Sequence, residues 1–180
     1  MPNLIFIFIN NKTRIRKTLF SSNNLAKIFI SFYSKFFFHK ILEKTGKSNL
    51  HEVWPNLELF IHGGISFIPY REQYKRLLPD PKMKYLETYN ASEGFFGLQD
   101  DPEDASMLLM LDYGVYYEFL PMSELGKTKP RTLLLEEVET GVNYALIITT
   151  NGGLWRYMIG DTIQFTSVKP YKFRITGRTK

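Results

Sequence analysis

There is no cysteine anywhere in the 180 residues. That excludes disulfides, thiolate zinc sites and cysteine nucleophiles, and it points to a reducing, cytoplasmic setting. Histidine is scarce at three, and neither His39 nor His51 has a partner suggested by spacing. No Ser/His/Asp set is visible. Long apolar runs are missing too: Leu4–Ile9 is short, and the stretch from Leu25 to Phe38 is broken by Lys27 and Lys35. A bilayer-spanning helix needs about 20 apolar residues. A signal peptide places its basic residues ahead of the apolar run, and here the order is reversed. Stable membrane insertion is therefore not expected. Acidic residues are nearly absent from the first quarter, where residues 1–47 hold nine Lys or Arg against Glu43 alone, a net +8. The remainder carries 14 basic and 17 acidic residues, a net −3. The overall +5 is thus a property of one end, and the rest is a poor electrostatic match for nucleic acid.

What is present describes a globular chain with a real core: 44% hydrophobic, 16% aromatic, mean hydropathy −0.20. Residues 1–40, rich in Phe, Ile, Lys, Asn and Ser, form an atypical segment, read as non-native or poorly ordered. A membrane-surface amphipathic helix is its rival reading. Residues 41–104 show an α/β pattern. Leu57–Ile61 reads as a strand and Gly63-Gly64 as a turn. A helix then opens at Pro69, carries Tyr70, Tyr74, Leu77 and Leu78 on one face, and ends at Pro79. Lys84–Thr88 reads as the next strand. Residues 105–176 read as a mostly antiparallel β subdomain. Its strands are Met107–Leu111, Val115–Leu120, Asn143–Thr149, Tyr157–Ile159, Thr162–Thr166 and Lys172–Ile175. Turns fall at Asp112-Tyr113-Gly114, Thr140-Gly141 and Asn151-Gly152-Gly153. Residues 177–180 read as the start of a hinge. The fold class is mixed α/β.

Three segments offer chemistry, and each has a plain alternative. Gly63-Gly64-Ile65 lets a flat ligand approach the backbone with no Cβ in the way. Alone, it is better explained as a strand-to-helix turn, and His62 before it as a packing residue. In Tyr89-Asn90-Ala91-Ser92-Glu93-Gly94 a strand delivers several groups to one point. The Ser92 hydroxyl and nearby N–H groups suit phosphate oxygens, Glu93 suits a magnesium ion, and Tyr89 offers an aromatic face to a base or ribose. A capped turn explains the same residues equally well. In Gly153–Asp161, Gly160-Asp161 sits between two strand readings. A carboxylate there can accept both hydroxyls of a ribose, whereas an isolated Gly-Asp pair is more often an ordinary turn. Arg156 and Tyr157 are expected on opposite faces, and Trp155 in the packing. Arg178 suits a phosphate or ribose, or simply the solvated surface. The acidic cluster Asp100, Asp101, Glu103 and Asp104 lacks the spacing of a calcium loop and reads as exposed.

Together these segments, in this order, resemble the adenylate-forming superfamily. Within it the chain is most similar to the Gretchen Hagen (auxin-responsive promoter) family of acyl acid amido synthetases, in its bacterial form, from about Ile41 to Lys180. The resemblance implies a large-domain fragment of an enzyme that uses ATP, releases AMP, requires Mg2+, and joins a small carboxylic acid to an amino acid. It implies that Gly63, Gly64 and Ile65 line the adenine and that Tyr89, Asn90, Ala91, Ser92, Glu93 and Gly94 surround the adenylate. Glu93 becomes the catalytic and metal-binding residue, Asp161 the ribose acid with Tyr157 nearby, and Arg178 part of the hinge. It also implies a Ser/Thr/Gly-rich phosphate loop, for which residues 1–47 offer no counterpart, since Ser21-Ser22-Asn23-Asn24 lacks glycine. A catalytic lysine is implied beyond Lys180. The chain is accordingly read as the middle of a larger enzyme, with weak or no turnover. The rival readings are a non-catalytic remnant and a β-rich interaction module.

Overall fold

The computed structural model describes residues 6–9, 34–63, 67 and 70–179. The chain divides into two compact units, Met1–Thr88 and Tyr89–Lys180.

In the first unit, β1 (Phe6–Ile9) runs antiparallel to β2 (Leu57–Gly63). Helices α1 (Ser34–Thr45) and α2 (Leu50–Val53) precede β2. The second is started by Asn49, whose side chain accepts the Glu52 N–H at 3.1 Å. Helix α3 (Arg71–Leu77) then leads to β3 (Lys84–Ala91), whose residues Lys84–Thr88 pair in parallel with β2. This strand–helix–strand unit is the α/β pattern read from the sequence. Tyr74, Leu77 and Leu78 bury the helix face against Phe38, Leu50, Leu57 and Phe60. Phe38 is fully buried, so the end of the segment 1–40 contributes to this core. Most of that segment, together with Gly64, Ile65, Pro69 and Lys180, lies outside the described residues.

The second unit is β-rich. From the end of β3 the chain turns at Ser92-Glu93 into β4 (Gly94–Gln99), a strand the sequence reading did not anticipate. It continues through β5 (Met107–Leu109), β6 (Val115–Pro121), β7 (Asn143–Thr150), β8 (Tyr157–Val168) and β9 (Tyr171–Arg178). The spatial order is β4-β5-β9-β8-β7-β6, and every one of these pairings is antiparallel. Alternation sets the core. On β7, Tyr144, Leu146 and Ile148 join Phe96, Phe119, Phe165 and Phe173, while Ala145 and Ile147 face the other way onto Leu120. Gly97 is required by close approach: a Cβ there would meet Phe173 Cζ at 2.7 Å.

Two strand boundaries differ from expectation in ways that matter. The strands read as Tyr157–Ile159 and Thr162–Thr166 are one strand, and the Gly160-Asp161 turn is a bulge inside it, with Gly160 at φ +95°. Gly177 and Arg178, expected in a hinge, are paired backbone in β9.

Candidate functional site

Gly160 is the reason Asp161 is where it is. Its positive φ belongs to a region that residues with a Cβ rarely adopt, and it bends β8 so that the β7 register shifts between Ala145 and Ile147. Asp161 then pairs with Arg178 across β8 and β9. The Gly160 carbonyl accepts the Thr179 N–H at 2.8 Å, which continues the chain past the last strand residue.

Three expected residues meet at this point. The Tyr89 hydroxyl donates to Asp161 Oδ2 at 2.7 Å across 72 residues of sequence. Arg178 Nη1 lies 3.6 Å from Asp161 Oδ1. The Asp161 side chain is mostly buried and that of Arg178 mostly exposed. Glu93 acts on the same group electrostatically. Burial, then the hydrogen bond to Asp161, then the charges of Asp161 and Glu93 push the Tyr89 hydroxyl far above the usual phenol range, with Arg178 opposing. At neutral pH the phenol is therefore a committed donor.

The remaining residues of 89–94 take varied places. Ser92 is exposed at the tip of the β3–β4 turn, and its hydroxyl donates to Glu93 Oε2 at 2.9 Å. Ala91 packs against the core and Asn90 is half-buried. Gly94 is needed because a Cβ would meet Phe96 Cε1 at 2.9 Å. Tyr89 itself departs from expectation. Its ring is only 3% exposed and packs on Phe96 and Phe173, so the hydroxyl, not an aromatic face, is what it presents. Among the described residues no group of three His, Asp or Glu side chains is placed to hold a metal ion. Tyr157 begins β8 and is exposed, and Gly63 ends β2 in the first unit.

The segment before β8 also differs. Arg156 has φ +45°, which breaks the strand alternation on which the placing of Arg156 and Tyr157 on opposite faces rested. Trp155 is 81% exposed rather than packed. The Arg156 side chain turns to Glu118 of β6, donating from Nε and Nη2 to its two oxygens at 2.9 Å each. Thr132 adds a third bond to Glu118 at 2.8 Å. Glu118 went unnoticed in the sequence, although an acid inside the apolar run Val115–Pro121 signals a buried partner. In the first unit His62 is buried and stacked on Phe67 with ring centroids 4.1 Å apart. Burial, then the Arg71 charge, pushes it down to about 4, so it is a neutral packing residue.

Residues 108–178 match the GH3 family central domain. The chain is similar to an indole-3-acetic acid-amido synthetase, GH3.3, of Arabidopsis thaliana, with 34% identity over 68% of this chain and 22% of the relative. It is 37% identical to the corresponding GH3.8 enzyme of Oryza sativa subsp. indica, over 63% of this chain and 20% of that one. It is 31% identical to a 4-substituted benzoates-glutamate ligase, GH3.12, of Arabidopsis thaliana, over 69% and 22%. Among solved structures, a GH3.15 acyl acid amido synthetase superposes with a TM-score of 0.59 over 78% of this chain and 26% of that one, at 22% identity. The latter is a likeness of fold. The chain spans about a fifth of the length of the curated relatives it matches.

Proposed function

The chain belongs to the GH3 family, whose central domain is matched by residues 108–178, and from that premise we propose that it carries the ribose side of an adenylate pocket. The activity served is that of an acyl acid amido synthetase. A small carboxylic acid attacks the α-phosphate of ATP, giving an acyl-adenylate and expelling pyrophosphate, and the acyl group then passes to the amine of an amino acid with release of AMP. Such chemistry relies on positioning and charge neutralisation, and needs no dedicated protein nucleophile. In this reading Asp161 accepts the two ribose hydroxyls, Arg178 lies beside it, and the Ser92-Glu93 turn faces the phosphate side. Tyr157 flanks the ribose. Glu93 is a single carboxylate on a turn. That donor set suits Mg2+, which is commonly held by one or two carboxylates with substrate phosphates and water; when bound, the ion would neutralise phosphate charge.

The observation that carries the proposal is the Asp161 carboxylate, held by the Tyr89 hydroxyl at 2.7 Å and flanked by Arg178 at 3.6 Å. A carboxylate offers about four lone-pair sites, so one hydrogen bond from Tyr89 leaves room for a diol. The test is AMP binding by titration calorimetry. Asp161→Ala is expected to weaken AMP by about 10- to 100-fold, the range for lost hydrogen bonds to a charged group. Unchanged affinity would refute the ribose role.

A further inference from the structure

A chemically reactive pair lies apart from the proposed nucleotide site, in the turn between β7 and β8. Asn151-Gly152 is the single Asn-Gly step in the sequence, and there is no Asp-Gly step. Asparagine side chains are thermolabile. The backbone nitrogen that follows an asparagine is within covalent reach of its Cγ, and a glycine there has no Cβ to crowd the approach.

The structure leaves both reacting groups free. Asn151 and Gly152 are the central residues of a turn closed by the Gly153 N–H, which donates to the Thr150 carbonyl at 3.2 Å. Around it, the Thr150 N–H donates to the Leu154 carbonyl at 2.9 Å and the Leu154 N–H to Thr150 Oγ1 at 3.4 Å. These bonds hold the ends of the turn. They use neither the Gly152 N–H nor the Asn151 carboxamide, and neither has a hydrogen-bond partner among the described residues. Asn151, Gly152 and Gly153 are all exposed, so water reaches the pair. The other described asparagines are placed differently. Asn49 is held by Glu52, with its Nδ2 donating to Oε1 at 2.8 Å and its side chain capping α2. Asn90 is half-buried within β3. Asn56 and Asn143 are followed by the bulky Leu57 and Tyr144.

We infer that Asn151 is a site of spontaneous deamidation. The Gly152 amide nitrogen, deprotonated by hydroxide, attacks Asn151 Cγ. The new N–C bond forms, the Cγ–Nδ2 bond breaks, and the departing nitrogen takes a proton from water and leaves as ammonia. Water then opens the resulting succinimide at either carbonyl, giving isoaspartate or aspartate. Both products add one negative charge. Isoaspartate also adds a methylene to the main chain inside the turn, beside Tyr116 and Trp155, which line the same surface depression as Asn151.

The test incubates the folded 180-residue chain at mildly alkaline pH, digests it with trypsin, and follows the peptide 132–156 by mass spectrometry with fragmentation. That peptide carries both Asn143 and Asn151, so Asn143 serves as an internal control. A gain of about 1 Da is expected at residue 151 and not at 143, in two chromatographic forms, isoaspartyl and aspartyl. Gly152→Ala is the discriminating variant. Gly152 does not have a positive φ, and an added Cβ would meet only Thr150 Oγ1 at 3.6 Å, an ordinary contact, so the turn is retained. The same Cβ crowds the attacking nitrogen and should slow the reaction about tenfold. A variant that lost stability would open the turn more often and react faster, so a slower reaction cannot come from unfolding. Three results would overturn the inference: residue 151 modified in urea but not in the folded chain, Gly152→Ala reacting as fast as the wild type, or aspartate as the sole product, which would mean direct hydrolysis without the ring.

Discussion

Glu118 shows how a single residue can be costly and still serve the fold. It stands between Tyr117 and Phe119, whose side chains enter the core, and it faces the other way. Burial pushes its pKa up. The hydrogen bonds from Arg156 and Thr132 and the Arg156 charge outweigh that and leave it below the ordinary carboxylate value. The bidentate geometry also explains how Arg156 keeps a left-handed backbone, a conformation that costs about 1 kcal/mol or more in a residue with a Cβ. Two further constraints hold Arg156: its N–H donates to Thr149 Oγ1 at 3.0 Å, and its Nη2 to Thr132 Oγ1 at 3.2 Å. Glu118→Gln keeps the shape and loses the charge. It is expected to destabilise the second unit by about 1–2 kcal/mol, read as a lower thermal midpoint. The sign with pH follows from the depressed pKa. The contribution of Glu118 is present above 4.5, its unfolded value, and is lost as pH falls through the lower folded value. The Gln variant should lose that part of the acid dependence, and an equal acid slope in both proteins would count against the pairing.

At the scale of elements, the parallel pair β2 and β3 with α3 between them sets up a second pH effect, of different origin. His62 near the end of β2 is packed on Phe67 and has no hydrogen-bond partner for Nδ1 among the described residues. Its folded pKa is about 4 against an ordinary 6.5, chiefly through burial and then through Arg71. Between these values the unfolded chain takes up a proton that the folded chain refuses. Stability of the first unit is therefore full above about 6.5 and falls as pH drops toward 4, by of order 2–3 kcal/mol. Hydrogen exchange of β2 and α3 amides should show this slope in the wild type, and His62→Phe, which retains a stacking ring, should abolish it. A slope that survives the substitution would assign the effect elsewhere. In this unit β2, α3 and β3 were legible in the sequence because helical spacing at Tyr70, Tyr74, Leu77 and Leu78 and the proline after them are local signals, whereas β1, α1 and α2 were not read. Most strands of the second unit were legible for the same reason. What was hidden depends on long-range pairing. β4 went unseen because Gly94-Phe95-Phe96-Gly97 has two glycines that weaken any strand reading, and they are tolerated because Phe96 and Phe173 fill the space a Cβ would take. The bulge at Gly160 was hidden because a Gly-Asp pair signals a turn, and only the pairing of β7 and β9 on either side keeps it inside a strand. At the site, the identity of Asp161 and Tyr89 was legible, but not that one would hold the other across 72 residues.

For the whole chain the question is whether binding leads to turnover, and the distribution of charge bears on it. Phosphoryl chemistry needs cations aimed at the phosphates. In the second unit the cations are largely occupied. Lys172 lies 2.8 Å from Asp100 and 3.2 Å from Asp104, Arg156 is bound to Glu118, Arg131 to Glu137 and Lys127 to Glu124. Arg178 is the cation beside the proposed ribose acid, and it is directed at Asp161. In the proposed role the groups at 89–94 and 161 hold a nucleotide and meet Mg2+; they would not neutralise a triphosphate by themselves. The first 47 residues also hold no Ser/Thr/Gly-rich segment to cradle phosphates. The expected behaviour of the 180-residue chain is therefore AMP binding without measurable chemistry. With ATP, Mg2+ and a panel of aromatic and aliphatic carboxylic acids, pyrophosphate release should not exceed that of a protein-free control, while AMP still produces a calorimetric signal that Asp161→Ala weakens. Steady release above the control would mean that the residues of this chain are sufficient for adenylation, and Glu93→Gln would then be the variant to show whether its carboxylate supports the reaction.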